Sequence, residues 1–309
     1  MPLVPSKDIL QAAKESGYAV GAFNTSNLEI TQAILETAAD KRSPVIISTS
    51  PSALKYAGAR TLFCMINSLA SQMPTPVALH LDHGLDFETV MECIREGWTS
   101  VMIDASKMPF RENVALTRKV VEVAHAVGVS VEAELGRLVG IEDAVVVSAR
   151  EAVLTDPAEA AQFVEETGCD VLAVAVGTSH GAYKFKGEAK LDFDRLAKIA
   201  SEVSIPLALH GASGVPREVV EKAIRYGAAE KLASAAGVPD EAIRKAVKTG
   251  IQKVNIDTDL RLALVGAIRE FLASKPEEID PRKILKPATD AMKGIVAYKM
   301  DLLGSTGRA

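Results

Sequence analysis

Eight short apolar runs alternate with helical patterns along the chain, and that alternation constrains the fold more than any other feature. The runs are AVGAF at 19–23, PVIIS at 44–48, PVALHL at 76–81, SVMID at 100–104, VSVEAEL at 129–135, VLAVAVG at 171–177, IPLALHG at 205–211 and KVNID at 253–257. Each is nearly continuous in Val, Ile, Leu and Ala, as strands covered on both faces of a parallel sheet should be. Between them, 27–43 and 113–128 carry apolar residues at three- and four-residue spacing, the period of an amphipathic helix. Eight such units predict a (β/α)8 TIM barrel, one domain over residues 1–309. The alternative is an open doubly wound sheet, but no GxGxxG follows the first run. Residues 227–250 exceed an ordinary connection and predict an extra helical segment before the last strand, and 281–303 predict a C-terminal helix. The connections 136–160 and 178–192 leave C-terminal strand ends, where a barrel builds its site, and are expected to act as lids.

Composition narrows the partners. The net charge is −5 with acids and bases interspersed, and no basic stripe invites nucleic acid. No apolar run approaches the ~18 residues that span a bilayer, so no membrane partner is expected. The start, MPLVPSKDIL, lacks the basic and apolar segments of a secretory signal. Cys64, Cys93 and Cys169 are widely separated with no CxxC, which fits a reducing compartment. A cytoplasmic protein is the expectation.

Of the five histidines, His83, His180 and His210 fall just past the ends of strands. Any one alone would read as an ordinary satisfied histidine. At equivalent positions in separate units they converge on one barrel axis, where neutral imidazoles with an open position make a catalytic zinc site. His80 lies inside a strand and reads as core or as support for the site; His125 lies on a helix and reads as structural. Asp82 and Asp104 share the strand ends. Glu132 and Glu134 have matching parity and face one side of their strand. A carboxylate in a barrel mouth is costly unless it meets a cation or handles a proton. Glu142 and Asp143 sit in the long connection that follows. Glycine-rich turns at 177–184 and 210–214, with NIDTD at 255–259, offer backbone N–H groups to an anion, and Lys184 adds charge. Metal, anion sites and proton-transfer acids together point to carbonyl chemistry on a sugar phosphate, leaving lyase, isomerase and epimerase open.

LDHG, HGASG and KVNIDTDLR closely resemble the class II, metal-dependent fructose-bisphosphate aldolases. GAFN at 21–24, IDAS at 103–106, EAELG at 132–136 and SHGAYK at 179–184 follow in the same order, so the resemblance spans essentially the whole chain. It implies reversible aldol cleavage of fructose 1,6-bisphosphate to dihydroxyacetone phosphate and glyceraldehyde 3-phosphate, in glycolysis and gluconeogenesis, through a zinc-stabilised enediolate. By resemblance His83, His180 and His210 are the Zn²⁺ ligands, and Co²⁺ or another divalent ion could stand in. Asp82 matches the acid/base at the C4 oxygen, and Glu142 the loop acid that moves the proton at C3. Asp104 and Glu134 match residues around an alternate metal position. Gly181, Lys184, Gly211, Ser213, Asp257 and Thr258 resemble the pocket for the C1 phosphate and neighbouring hydroxyls. Asn24 and Ser50 match polar groups that contact substrate, and Asn255 the group that binds the enediolate. Arg261 resembles an arginine that reaches the distal phosphate, in this family often from a neighbouring subunit. A monovalent cation (K⁺, Na⁺ or NH₄⁺) near the Gly181 and Ser213 carbonyls and a homodimer or homotetramer are further implications.

Three rival readings are open to test. Tagatose-bisphosphate aldolases share the ligands and differ in C4 stereochemistry; Asp257 and Arg261 in NIDTDLR look more like the fructose enzymes. A Schiff-base mechanism needs an inward lysine, and none is expected inside a strand, since Lys253 opens the eighth run at the wrong end. A non-catalytic sugar-phosphate barrel would show disrupted ligands, and the ligands here are intact.

Overall fold

The computed structural model describes residues 3–137, 139–142, 145–147, 153–180, 191–229, 232 and 237–309; side chains of 139–142, 145–147, 179 and 180 are not among those described. Eight parallel strands close into a barrel. They are β1 (Val20–Asn24), β2 (Val45–Thr49), β3 (Val77–Gly84), β4 (Ser100–Ile103), β5 (Ser130–Leu135), β8 (Val171–Val174), β10 (Leu207–Leu209) and β11 (Lys253–Ile256). Each coincides with one of the eight apolar runs, and β1 pairs with both β2 and β11 to complete the ring. The expected (β/α)8 architecture is therefore present, and the open sheet is not.

Alternation along the strands sorts side chains into two cores. Val20, Ala22, Ile46, Ala78, Met102, Val171, Ala173 and Ala208 fill the barrel interior, and the neighbours between them pack outward against the helices. Helix α1 (Ser6–Ser16) was not expected from the strand count. Its Ile9, Leu10 and Ala13 join the interior cluster and close the N-terminal end of the barrel. Helix α2 (Leu28–Lys41) starts where the Asn27 side chain accepts from Ile30 N–H, which satisfies one of the orphan donors of a first turn. Two helices, α9 (Arg217–Arg225) and α10 (Asp240–Thr249), fill the connection before β11, so the extra segment is a helix of its own. Helix α11 (Thr258–Ser274) packs on α12, which runs Pro281–Leu303 behind an Asp280 cap and a helix-opening proline.

The two long connections are joined to each other. β6 (Val139–Glu142) pairs antiparallel with β7 (Val145–Val147) and parallel with β9 (Ser179–His180), forming a small sheet outside the barrel. Glu142 was expected in a loop; its backbone is instead at a strand end, opposite Val145, because the apolar VVV run pairs back on β6. His180 is set opposite Gly140 in the same sheet.

The LDHG motif has a mechanical explanation. Neighbours on a regular strand face opposite sides, yet Asp82 and His83 are both needed at the axis. The β3–β4 register shifts between Leu81 and Gly84, and His83 adopts φ 51°, in the left-handed region. That twist turns His83 inward after Asp82, at a backbone cost of about 1–2 kcal/mol for a residue other than glycine. Gly84 then passes so close to β4 that a Cβ there would lie 2.5 Å from the Met102 carbonyl. Replacing Gly84→Ala is expected to lower stability by about 1–3 kcal/mol through overpacking. Urea unfolding checks this, and an unchanged midpoint would mean that β3 and β4 can spread freely.

Candidate active site at the barrel mouth

Asp82, His83 and His210 present ligand atoms within 4.8 Å of one another, and so do His83, Asp104 and Glu134. All are buried or nearly so. The carboxylates fix the ring orientations. His83 Nδ1 faces Asp104 Oδ2 at 2.9 Å, and His210 Nε2 faces Glu132 Oε1 at 2.7 Å. With both rings neutral, as metal ligands are, these contacts place the N–H on those nitrogens and leave His83 Nε2 and His210 Nδ1 as the lone-pair nitrogens. These two face each other at 2.9 Å. Two converging imidazole lone pairs are a donor set that a divalent cation satisfies. Glu134 Oε2, 3.9 Å from His83 and 3.8 Å from His210, has no hydrogen-bond partner among the described residues and is a further oxygen ligand in reach.

The site carries surplus negative charge. Burial opposes protonation of His83, but Asp82, Asp104 and Glu134 outweigh it and lift its pKa to about 10. Burial, together with Asp104, pushes Glu134 well above the usual carboxylate range. Asp82 is held below that range against burial, with His83 and Lys253 the main causes. A site that pulls protons onto one group and keeps them on another is built to receive a cation. The residues therefore fit the expected divalent metal.

Asp82 is clamped on both sides. Asn24 Nδ2 donates to Oδ2 at 3.0 Å and Asn255 Nδ2 to Oδ1 at 2.8 Å. The Oδ1 atoms of both amides are buried without a partner among the described residues, so each can accept from a substrate hydroxyl. Asn24, Ser50, Asp257 and Arg261 line a cavity of ≈ 280 Å³ beside the histidines' strand ends. Ser50 also caps helix α3 (Pro51–Ala57), while Asp257 precedes α11 without a side-chain cap and its carboxylate takes Arg261 Nε at 2.8 Å. Arg261 stands exposed at the rim. Gly211 takes φ 62°, a left-handed turn that opens residues 211–214, and Ser213 is buried beside it. The Ser213 carbonyl, expected near a monovalent cation, accepts from Val238 N–H at 3.3 Å. Thr258 opens α11. Gly181 and Lys184 lie outside the described residues, and of His180 and Glu142 only the backbone is placed.

Lys253 opens β11 as expected, yet it faces inward. It shares parity with Asn255 and Asp257, and its fully buried Nζ lies 2.8 Å from Glu132 Oε2 and 3.4 Å from His80 Nε2. The period-two count along KVNID would have pointed it inward. His80 continues the column through Ser100 to Ser6 of α1, at 2.8 and 2.7 Å. Burial and Lys253 hold His80 down to about 3, so it stays neutral. Glu132, paired by sequence with Glu134 but given no role, is the link between Lys253 and His210. His125 is outside the site, against Asp170 at 2.8 Å.

A profile of the family described as fructose-bisphosphate aldolase class-II matches residues 4–231 and 232–308. A fructose-bisphosphate aldolase of Thermus caldophilus is 54% identical over 307 residues, covering 99% of this chain and 100% of that protein. Another, of Helicobacter pylori, is 48% identical over 307 residues, with 99% of each chain covered. The crystal structure of the YdjI aldolase from Escherichia coli K12 superposes with a TM-score of 0.80 at 31% identity, covering 99% of both chains.

Lys253 keeps Glu132 charged in a site without water access. Removing one partner of a buried pair costs about 3–5 kcal/mol, so Lys253→Met is expected to lower the unfolding free energy by that order. Adding Glu132→Gln should recover part of the loss. Equal melting of wild type and Lys253→Met would show that the pair carries no stabilising charge.

Proposed function

The chain belongs to the class II fructose-bisphosphate aldolase family, and from that premise we propose that it cleaves fructose 1,6-bisphosphate reversibly to dihydroxyacetone phosphate and glyceraldehyde 3-phosphate. The observation that carries the reading is Asp82 held between two amides beside the converging nitrogens of His83 and His210. A proton acceptor and a cation site side by side are what an aldol cleavage needs.

His83 and His210, with His180 from β9, would hold Zn²⁺ or a related divalent ion such as Co²⁺, with Asp104 and Glu134 next to them as an alternate position. Bound there, the ion would polarise the ketose carbonyl and offset charge that develops on its oxygen. Asp82, ionised and aimed by Asn24 and Asn255, takes the proton of the C4 hydroxyl. The C4–O electrons form the aldehyde carbonyl, and the C3–C4 pair is left on C3 in conjugation with C2. Glu142 is assigned the return of a proton to C3. The glycine turn at 211–214 and the start of α11 at Asp257 and Thr258 receive the C1 phosphate together with Gly181 and Lys184, and Arg261 at the cavity rim takes the distal phosphate. A K⁺, Na⁺ or NH₄⁺ ion beside the Ser213 turn, a homodimer or homotetramer, and a cytoplasmic setting complete the reading. Among the described residues no helix is long and apolar enough to cross a membrane.

The tagatose reading is not favoured, since the relatives at 54% and 48% identity are fructose-bisphosphate aldolases. Lys253 faces inward, but it is buried and ion-paired with Glu132, a poor setting for attack on a carbonyl.

Exhaustive chelation, followed by elemental analysis, is expected to abolish fructose-bisphosphate cleavage, and Zn²⁺ should restore it. Borohydride with substrate should trap nothing on the protein. Retained activity after metal removal, or a borohydride adduct, would sink the proposal. Asp82→Asn is expected to lower kcat about 10²- to 10⁴-fold while metal content is kept, the usual worth of a positioned acid or base. Wild-type kcat in that variant would remove Asp82 from the chemistry.

A further inference from the structure

Lys299, on α12, has no part in the chemistry above, yet it is only 3% exposed. Its Nζ donates to the Gly214 carbonyl at 2.8 Å and lies 2.8 Å from Asp259 Oδ1. Asp259 is wholly buried in the first turn of α11, and among the described residues Lys299 is its ion-pair partner. Gly214 ends the turn at 211–214, and Asp259 directly follows Asp257 and Thr258. The two backbone segments assigned to the C1 phosphate are thus fastened to one ammonium group lying behind them.

The neighbouring residue on α12 ties the same turn from another direction. Tyr298 Oη donates to Asp240, at the start of α10. The residues leading into α10 pack on the turn: Val238 N–H donates to the Ser213 carbonyl. A Cβ on Gly237 would lie 2.4 Å from that carbonyl, and one on Gly214 would lie 2.5 Å from the Val238 carbonyl. The turn has no slack. The carbonyl accepts a hydrogen bond and the carboxylate is held as an ion pair, and one lysine amine group supplies both.

We propose that Lys299 is a positioning residue that sets the spacing of the Ser213 turn and the start of α11, and through them the affinity for the substrate's phosphate group. The inference rests on the reading of these two segments as the phosphate-binding backbone. Lys299 touches no substrate; it acts through Gly214 and Asp259. A side chain of the C-terminal helix thereby governs binding at the two segments it fastens.

Lys299→Met, Lys299→Arg and the double variant Lys299→Met/Asp259→Asn separate this role from a stabilising one. Inorganic phosphate and dihydroxyacetone phosphate affinities are measured by calorimetry on the metal-loaded protein, beside kcat, KM and melting temperature. Lys299→Met is expected to weaken both ligands and raise KM about tenfold, the worth of one charge-assisted hydrogen bond, with kcat within about twofold. Lys299→Arg should retain most of the affinity. In the double variant the buried carboxylate is gone, so melting temperature should recover while affinity stays low, because the Gly214 tether is still missing. Wild-type affinity in Lys299→Met, with only melting lowered, would overturn the inference, as would affinity that recovers together with stability. A wild type that fails to cleave fructose 1,6-bisphosphate but loses phosphate affinity on Lys299→Met would sink the proposed activity and leave this inference standing. A wild type that binds neither ligand would overturn both.

Discussion

Negative charge buried at the barrel axis is the constraint around which this structure is arranged. Asp82, Asp104, Glu132 and Glu134 all lie at the mouth of one closed sheet with side chains almost wholly buried, where water cannot offset them. Isolated carboxylates would not stay ionised there. The fold answers each one differently. Glu132 receives Lys253, Asp82 receives two amides and a nearby imidazole, and Asp104 receives His83 and the Ser106 hydroxyl and N–H. Glu134 is left with imidazole nitrogens at almost 4 Å and a strongly raised pKa. The charge that remains after these pairings is what a divalent cation at the histidines would balance.

The same constraint explains the polar column beneath the site. Barrel interiors are ordinarily filled by layers of branched apolar side chains. Here the layer below the histidines holds Lys253, His80 and Ser100, and apolar packing resumes with Val20, Ala78 and Val171 against α1. Lys253 is needed because Glu132 must be ionised to hold His210 in one tautomer. His80 remains neutral because burial disfavours its charged form and a protonated ring beside Lys253 would place two cations together. Ser100 and Ser6 then satisfy His80 Nδ1 and end the chain of hydrogen bonds at the capping helix. The ligand geometry at the mouth therefore reaches down to the N-terminal end of the barrel.

Much of this was legible in the residues. The eight apolar runs mark the eight barrel strands, because a strand buried on both faces writes its burial directly into composition. His83, His210, Asp82, Asp104 and Glu134 were expected together, and the structure brings them together. The inward direction of Lys253 follows from its parity with Asn255, a signal that its place at the start of the run hides. The turn of His83 into the left-handed region could not be read, since a bulge depends on how two strands approach, not on either strand's own sequence. Nor could the small sheet of β6, β7 and β9 be read, because it pairs segments that lie in different connections and are too short to show a period.

That small sheet and the Lys299 tether put a common solution on view. A barrel delivers its strand ends to one place, but the side chains and turns beyond those ends must be held by something other than the barrel ladder. For the histidine on β9, the holding element is β6, with His180 in register with Gly140. For the turn at 211–214 it is the pair of residues on α12 with the start of α10. For Asp82 it is an amide from each of two strands that meet in the closed ring, β1 and β11, whose registry sets Ala22 opposite Asn255. Each support is a contact between distant parts of the chain, so the site can form only once the barrel has closed. The consequence is a site whose geometry is coupled to the whole fold: loosening α12 would shift the turn at 211–214, and loosening the β6–β9 pairing would shift His180, with no barrel strand altered.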